Sequence, residues 1–392
     1  MEDIDHLIDE IKEEIIKLRR EFHQIPEVSM KEYKTSDKIA AYLESCGIKV
    51  AKEIGKTGVV GLLEGKKQGK TLAIRSDMDA LPIEEKTNLD FSSKHEGTMH
   101  ACGHDGHISI LLGTAKVLSN LKDQIQGNIK FIFQPAEEDL IGAKAMIEDN
   151  VMEDPEVDEI LGLHIWPDID SGSIGVQSGP VMAAVDRFDI KIIGKGGHGG
   201  IPNKAIDPVV MTANLIERIQ SIVSREIAPT KAAVITIGEL QGGTAYNIIP
   251  DNVKVSGTVR TFDSEVRKYI EKRMRHVVKN VIESFGGKYE FSYENKVPPV
   301  VNNEALTQKI TNRLESMLGK EKVIRDFELS MGGEDFALFQ NRVPGTYMFL
   351  GTKNEAKGIN NPIHHPEYNI DEDILPLGIK VFSDLALDLL KH

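Results

Sequence analysis

Apolar residues recur at Ile4, Leu7, Ile8, Ile11, Ile15 and Leu18, the three-and-four spacing of a helix with one buried face. The stretch TSDKIAAYLESCG repeats that pattern and ends on Gly47, a residue suited to the left-handed turn that stops a helix. Then the period shortens. TGVVGLLEG, KTLAIRSD, NIKFIFQP and DEILGLHIW are short apolar runs bounded by glycine, proline or charge. Helical stretches separate them, one beginning near His104 and one near Ala143–Glu148. Buried apolar strands alternating with helices predict an α/β domain built on a mostly parallel sheet.

The style changes near Val185. A strand, VDRFDIKIIGK, leads into a glycine-rich loop and a helix from Asp207 to about Ser224. Strands AAVITIGEL and NVKVSGTVRTF follow, then a long charged helix over Ser264–Phe285 and the strand KYEFSYE. That order, β-α-β-β-α-β, is ferredoxin-like. After KVPPVVNN the first style resumes through PGTYMFLG and a C-terminal helix. The pattern therefore predicts an α+β module at 184–296 inserted into an α/β domain made of 1–183 and 297–392.

Composition narrows the function classes. A chain of 392 residues is long for one core, so two domains are expected. The net charge of −14 argues against nonspecific nucleic-acid binding and against anionic membranes. No apolar run approaches the ~20 residues needed to span a bilayer, and the acidic N-terminus lacks the basic and apolar blocks of a signal peptide. Two cysteines, Cys46 and Cys102, form no disulfide framework, so a reducing cytoplasm is the expected setting.

Chemistry concentrates in MHACGHDGHISILLGTAKVL, residues 99–118, which carries His100, Cys102, His104 and His107 just ahead of an apolar helical run. This is either a metal site at the mouth of the fold or a polar loop capping a core helix. Other segments bring matching residue types to strand ends: Asp77 and Asp79, Glu137 and Glu138 in FQPAEED, His164, and His364 and His365 in NPIHHPEY. Each alone has an ordinary structural reading, as a loop histidine, a solvated carboxylate or a small buried thiol. Together they form the thiolate, imidazole and carboxylate set that zinc-like metals take, placed where open α/β sheets bind ligands. Adjacent glutamates can divide the work, one binding metal and one serving as base.

Over nearly its full length the chain resembles the aminoacylase and metallo-carboxypeptidase family of dinuclear metal hydrolases. The motifs that carry the resemblance are RSDMDALPI, MHACGHDGH, FQPAEE, GLHIWP, GKGGHGGIPNKAIDPV, AYNIIPD, GTVRTF, MGGEDFALF and NPIHHPEY. The subgroup it is most similar to holds bacterial N-acyl-L-amino acid amidohydrolases, hippurate hydrolases, N-acetyldiaminopimelate deacetylases and plant auxin-conjugate hydrolases. The resemblance implies that Cys102 bridges two metals, in place of the wider family's aspartate, with His104, Glu138, His164 and His364 as terminal ligands. It implies two divalent ions per subunit, zinc, manganese, cobalt or nickel. Glu137 matches the general base that takes a proton from the activated water and delivers it to the leaving nitrogen. His198 matches an oxyanion-stabilising histidine, and Asn247 and Arg260 match residues holding the substrate α-carboxylate. Asp77 stands where the wider family has a histidine ligand, which leaves Asp79 an orienting role; His100 and His107 are read as supporting groups. Between His364 and His365, the resemblance favours the former. Glu334 and Asp335 read as structural. The inserted module implies a lid and a homodimer or homotetramer. The function implied is hydrolysis of N-acyl-L-amino acids, with a dipeptidase or carboxypeptidase, an N-acetyldiaminopimelate deacetylase, and a non-catalytic metal-binding relative as the competing readings.

Overall fold

Eight strands form the main sheet, in the order Lys49–Ile54, Gly58–Glu64, Gln126–Gln134, Lys67–Asp77, Glu159–Asp170, Gly345–Lys353, Ile174–Gly175 and Val323–Ile324. The structure is a computed structural model and describes residues 4–391. The four central strands, from Gln126–Gln134 to Gly345–Lys353, run parallel. Antiparallel pairs flank them on both sides. Phe131, Phe133, Ile74, Leu161, Met348 and Leu350 are all buried on these strands, as expected where helices cover a parallel sheet. The fold is the α/β arrangement that the strand and helix pattern predicts.

The chain divides into two units: the first takes residues up to 179, 301–328 and from 335 onward, and the second takes 180–300 and 329–334. In the first, helices Ile4–His23, His104–Asn120 and Leu375–Leu389 pack on one another and share one core. Helix His104–Asn120 is buried on every face from His104 to Ala115, because it lies between two helices and the sheet, so it shows no polar side. Gly106 and Gly113 let it approach its neighbours. A Cβ on Gly106 would lie 2.5 Å from Ile165 Cδ1, and one on Gly113 would collide with Ile379 Cδ1.

The second unit holds a four-stranded antiparallel sheet, ordered Ala233–Gly242, Asn252–Thr261, Ala184–Ile193, Lys288–Val297. Helices Pro208–Ser221 and Ser264–Ser284 join these strands in β-α-β-β-α-β sequence and bury Met211, Leu215, Met274 and Val278 against Phe188, Ile190 and Ile192. Both helices start on an aspartate: Asp207 accepts from the amides of Val209 and Val210, and Asp263 from those of Glu265 and Val266, the capping bonds that orphan amides require. No described helix is long and apolar enough to cross a membrane.

Two elements go beyond the pattern read from sequence. Helix Glu304–Leu318 buries Leu306, Ile310 and Leu314, a four-residue spacing present in the chain. Edge strand Lys49–Ile54 is mostly exposed and charged, so it lacks the apolar alternation that marks a strand.

Candidate metal centre

The site is assembled at the ends of the parallel strands. Asp77 ends strand Lys67–Asp77, and Asp79 follows two residues on. Glu137 and Glu138 follow strand Gln126–Gln134. His164 is read from sequence as the end of its strand, but that strand continues to Asp170. The neighbouring strand pairs only as far as Gly162, opposite Arg75, so the His164 ring nonetheless lies beyond the paired region on that side. Gly103, at φ +86°, turns the chain into helix His104–Asn120, which sets Cys102 just outside the helix and His104 at its first position.

Two histidines are held in one tautomer by the backbone. His104 Nδ1 lies 2.9 Å from the Asp79 carbonyl, and His164 Nδ1 lies 2.7 Å from that of Ile165. A carbonyl only accepts, so each Nδ1 carries hydrogen, and in the neutral ring each Nε2 presents the lone pair. His104 Nε2 and Glu138 Oε1 are buried without a hydrogen-bond partner. His164 Nε2 sits 3.4 Å from Cys102 Sγ, and His364 Nε2 sits 3.4 Å from Glu138 Oε2. Donor atoms of Cys102, His104 and His164 all lie within 4.8 Å of one another, as do those of Cys102, Glu138 and His364. The two sets share Cys102. Donors around a tetrahedral zinc-like ion stand about 3.5 Å apart, so the thiol, imidazole and carboxylate groups here fit metal binding.

Charge points the same way. Burial disfavours a charged His104, but Asp77, Asp79 and Glu138 outweigh it and raise its pKa to about 10. The excess negative charge thus draws a cation to the position of Nε2. Burial, and then the Glu138 and Glu137 carboxylates, hold the Cys102 thiol well above the ordinary thiol range, so its thiolate form needs a cation beside it. Burial keeps His164 neutral, well below the usual histidine range.

Supporting contacts bracket the donors. Asp79 Oδ2 accepts from Ser29 Oγ at 2.8 Å and from the Glu138 amide at 3.1 Å. Asp77 is fully engaged, with Oδ1 accepting from His107 Nδ1 at 2.6 Å and Oδ2 from Arg75 Nη1 at 2.8 Å. His107 Nε2 in turn accepts from the Ile165 amide at 2.8 Å, which fixes its proton on Nδ1. Arg75 and Gln134 both bond Asp335, whose Oδ2 accepts from the Ala143 amide at 2.9 Å. His100 is buried with neither nitrogen hydrogen-bonded, and burial lowers its pKa to about 4.

His364 adopts a left-handed backbone, φ +65°, and its amide donates to the Ala101 carbonyl at 2.8 Å. Such strain in a non-glycine residue collects at functional sites, and here it ties the 364 turn to the Cys102 loop. His365 Nδ1 instead accepts from the Glu367 amide at 3.1 Å within its own turn. Sequence reasoning finds the donor types, but it misses the engagement of Asp77 and the strain at His364, neither of which has a signal in residue order.

His198, Asn247 and Arg260 belong to the second unit. His198 lies in a two-residue strand paired with Ile248–Ile249, is exposed, and accepts the Gly200 amide at Nδ1. Asn247 is its neighbour, its carbonyl accepting from the Gly199 amide at 2.9 Å. Half-buried Arg260 donates from Nε to Thr258 Oγ1 at 3.1 Å, and burial lowers its pKa.

Comparison with known proteins supplies the family. Residues 73–388 match the peptidase family M20/M25/M40. The chain is 41% identical over 378 residues to an N-acetylcysteine deacetylase of Bacillus subtilis, covering 96% of this chain and 97% of the relative. It is 43% identical over 382 residues to thermostable carboxypeptidase 1 of Saccharolobus solfataricus, covering 96% of each. Among solved structures, the YXEP protein of Bacillus subtilis, described as a dinuclear metal-binding peptidase of the M20 family, aligns with a TM-score of 0.85 at 37% identity, over 98% of this chain and 99% of that one. A buried donor cluster at the strand ends of this fold, with sequence similarity running through it end to end, places the chain in peptidase family M20/M25/M40 as a hydrolase with a candidate metal centre.

Proposed function

We propose that this hydrolase cleaves the amide bond of N-acyl-L-amino acids, releasing a carboxylate and a free amino acid. The observation that carries the reading is the pair of donor sets sharing Cys102, with Glu137 in donor range of His104 and Glu138. In this reading Cys102, with His104, Glu138, His164 and His364, would hold two divalent ions. Bound there, such ions polarise a carbonyl and lower the pKa of water. The thiolate favours zinc, manganese, cobalt or nickel over magnesium or calcium.

Glu137 is the base. Its buried carboxylate takes the proton that water loses on attacking the carbonyl carbon, and passes it to the nitrogen as the C–N bond breaks. Asp79 orients this machinery by holding the Glu138 amide and, through its own carbonyl, His104. His198 donates to the developing oxyanion. Arg260, whose Nη groups make no hydrogen bond to a described residue, receives the substrate α-carboxylate with Asn247, a task that suits a guanidinium fork.

The second reading, a dipeptidase or carboxypeptidase using the same metals, is favoured by the similarity to the archaeal carboxypeptidase. N-acetyldiaminopimelate is a narrower variant of the first reading. Release of acetate or benzoate from N-acyl amino acids, measured beside cleavage of unblocked dipeptides, separates them: faster dipeptide cleavage overturns the first reading. Chelation abolishes activity, and zinc, manganese, cobalt or nickel restores it to different degrees; full activity in demonstrably metal-free protein overturns the metal mechanism. We assign the inserted module a lid and dimerisation role, in a homodimer or homotetramer. The two free cysteines support a cytoplasmic setting.

A further inference from the structure

Ala136, the residue before Glu137, is buried and adopts φ +50°. Alanine takes this left-handed conformation against the repulsion of its own Cβ. The turn it opens is closed on itself, Leu140 N bonding Glu137 O at 2.7 Å, and Ile141 N and Gly142 N bonding Ala136 O at 3.3 and 3.2 Å. Those bonds fix the shape of the turn. Its direction depends on groups outside it: Glu32 on the Ala136 amide, Asp79 on the Glu138 amide and Asp335 on the Ala143 amide.

Glu32 is the unexplained member. It is fully buried and occupies the N-cap of helix Tyr33–Ser45, yet its carboxylate does not cap that helix. Instead Oε1 accepts from the Met30 amide at 3.0 Å and the Ala136 amide at 2.9 Å, and Oε2 accepts from Thr57 Oγ1 at 2.6 Å. A carboxylate so placed is costly to bury, and it forgoes a capping bond in its own helix. It hydrogen-bonds none of the candidate ligand side chains.

We propose that Glu32 is a positioning residue for hydrolysis: its Oε1 holds the left-handed backbone of Ala136 and so aims the Glu137 carboxylate at the reacting amide. This rests on the reading of Glu137 as general base. A displacement of about 1 Å at a reacting group costs up to ~10²-fold in rate, so a small relaxation at Ala136 is enough to register.

The test uses the metal-loaded enzyme and reads kcat, KM, metal content and Tm for hydrolysis of an N-acyl amino acid. Glu32→Asp withdraws the carboxylate by one methylene and keeps its charge, whereas Glu32→Gln keeps the reach and an acceptor oxygen. Glu32→Asp is expected to lower kcat at least ~10-fold with KM and metal content within about twofold, and Glu32→Gln to stay within about threefold of the parent. Adding Ala136→Gly to Glu32→Asp removes the Cβ that opposes positive φ and restores most of the lost kcat. Thr57→Val removes the Oε2 contact without touching Ala136, and leaves kcat within about twofold. Unchanged kcat in Glu32→Asp, equal losses in the Asp and Gln variants, loss that tracks metal or Tm, no recovery with glycine, or a ~10-fold loss in Thr57→Val each overturns the proposal. Glu137→Ala, run in parallel, separates the two claims: turnover within about tenfold of the parent sinks the base assignment itself.

Discussion

Which nitrogen of a histidine faces a cluster is decided by what its other nitrogen touches. His104 and His164 both spend Nδ1 on backbone carbonyls, and such outer contacts tune a ligand's orientation and basicity. The chain supplies residue types at the right segments, but the two carbonyls belong to Asp79 and Ile165, whose backbone direction no sequence pattern encodes. Two substitutions test the division of labour. Glu137→Gln keeps size and removes the base, so kcat falls by ~10²–10⁴ while bound metal, measured by atomic spectroscopy, stays at the parent level. Cys102→Ala removes the donor common to both sets, so metal content itself falls and activity with it. A Glu137→Gln protein that loses its metal, or a Cys102→Ala protein that keeps it, reverses the assignment.

Helix His104–Asn120 carries His104 at its start, so its seat against the neighbouring helices sets where that ring lies. Gly113 marks the closest approach, since a Cβ there meets Ile379 Cδ1 and comes within 3.2 Å of Ile15 Cδ1. Gly113→Ala therefore overpacks the core at a cost of about 1–3 kcal/mol, seen as a lower urea midpoint at unchanged m. Ile379→Val deletes the colliding methyl, and in the Gly113→Ala background it recovers part of the loss, a coupling that independent sites do not show. Simple additivity of the two changes refutes this packing account. Elements of this kind were the legible part of the fold. Ile108, Leu111, Leu112, Ala115 and Leu118 announce the helix by period, and NIKFIFQP and DEILGLHIW announce buried strands by continuity. Strand Lys49–Ile54 did not, because an exposed edge needs no apolar alternation, and the φ +65° of His364 did not, because the Ala101 contact beside it joins segments far apart in the chain.

The first unit is tied together next to the candidate metal centre by buried charges contributed from segments far apart in the chain. Asp105, one residue into helix His104–Asn120, forms a buried ion pair with Arg19, whose Nε lies 2.7 Å from Oδ2, and faces His23 Nδ1 at 2.8 Å. His23 Nε2 reaches Glu85 Oε1 at 3.2 Å, and Glu85 Oε2 accepts from the Ser93 amide at 2.6 Å. The chain from Arg19 to Ser93 thus links the N-terminal helix, the site helix and the 85–93 loop. Burial favours the neutral acid at Glu85, but His23, Thr87 and the Ser93 amide outweigh it and bring its pKa to about 2. Burial opposes charge on His23 as well, and Asp105 overcomes it, so His23 is raised above the ordinary histidine value of 6.5. The signs follow by linkage. Glu85, depressed on folding, stabilises fully above its unfolded value of 4.5 and loses that contribution as pH falls toward about 2. His23, raised on folding, stabilises fully below 6.5 and loses its share as pH rises through the folded value. The link is therefore strongest between about pH 4.5 and 6.5, from the two unfolded values. The difference in urea midpoint between the parent and Glu85→Gln, taken without added metal, stays level from pH 6 to about 5 and shrinks steadily below about 4.5. A difference that persists or grows on going to pH 3.5 means that Glu85 does not enter the folded state as a stabilised carboxylate, and that the 85–93 loop is held by its uncharged contacts alone.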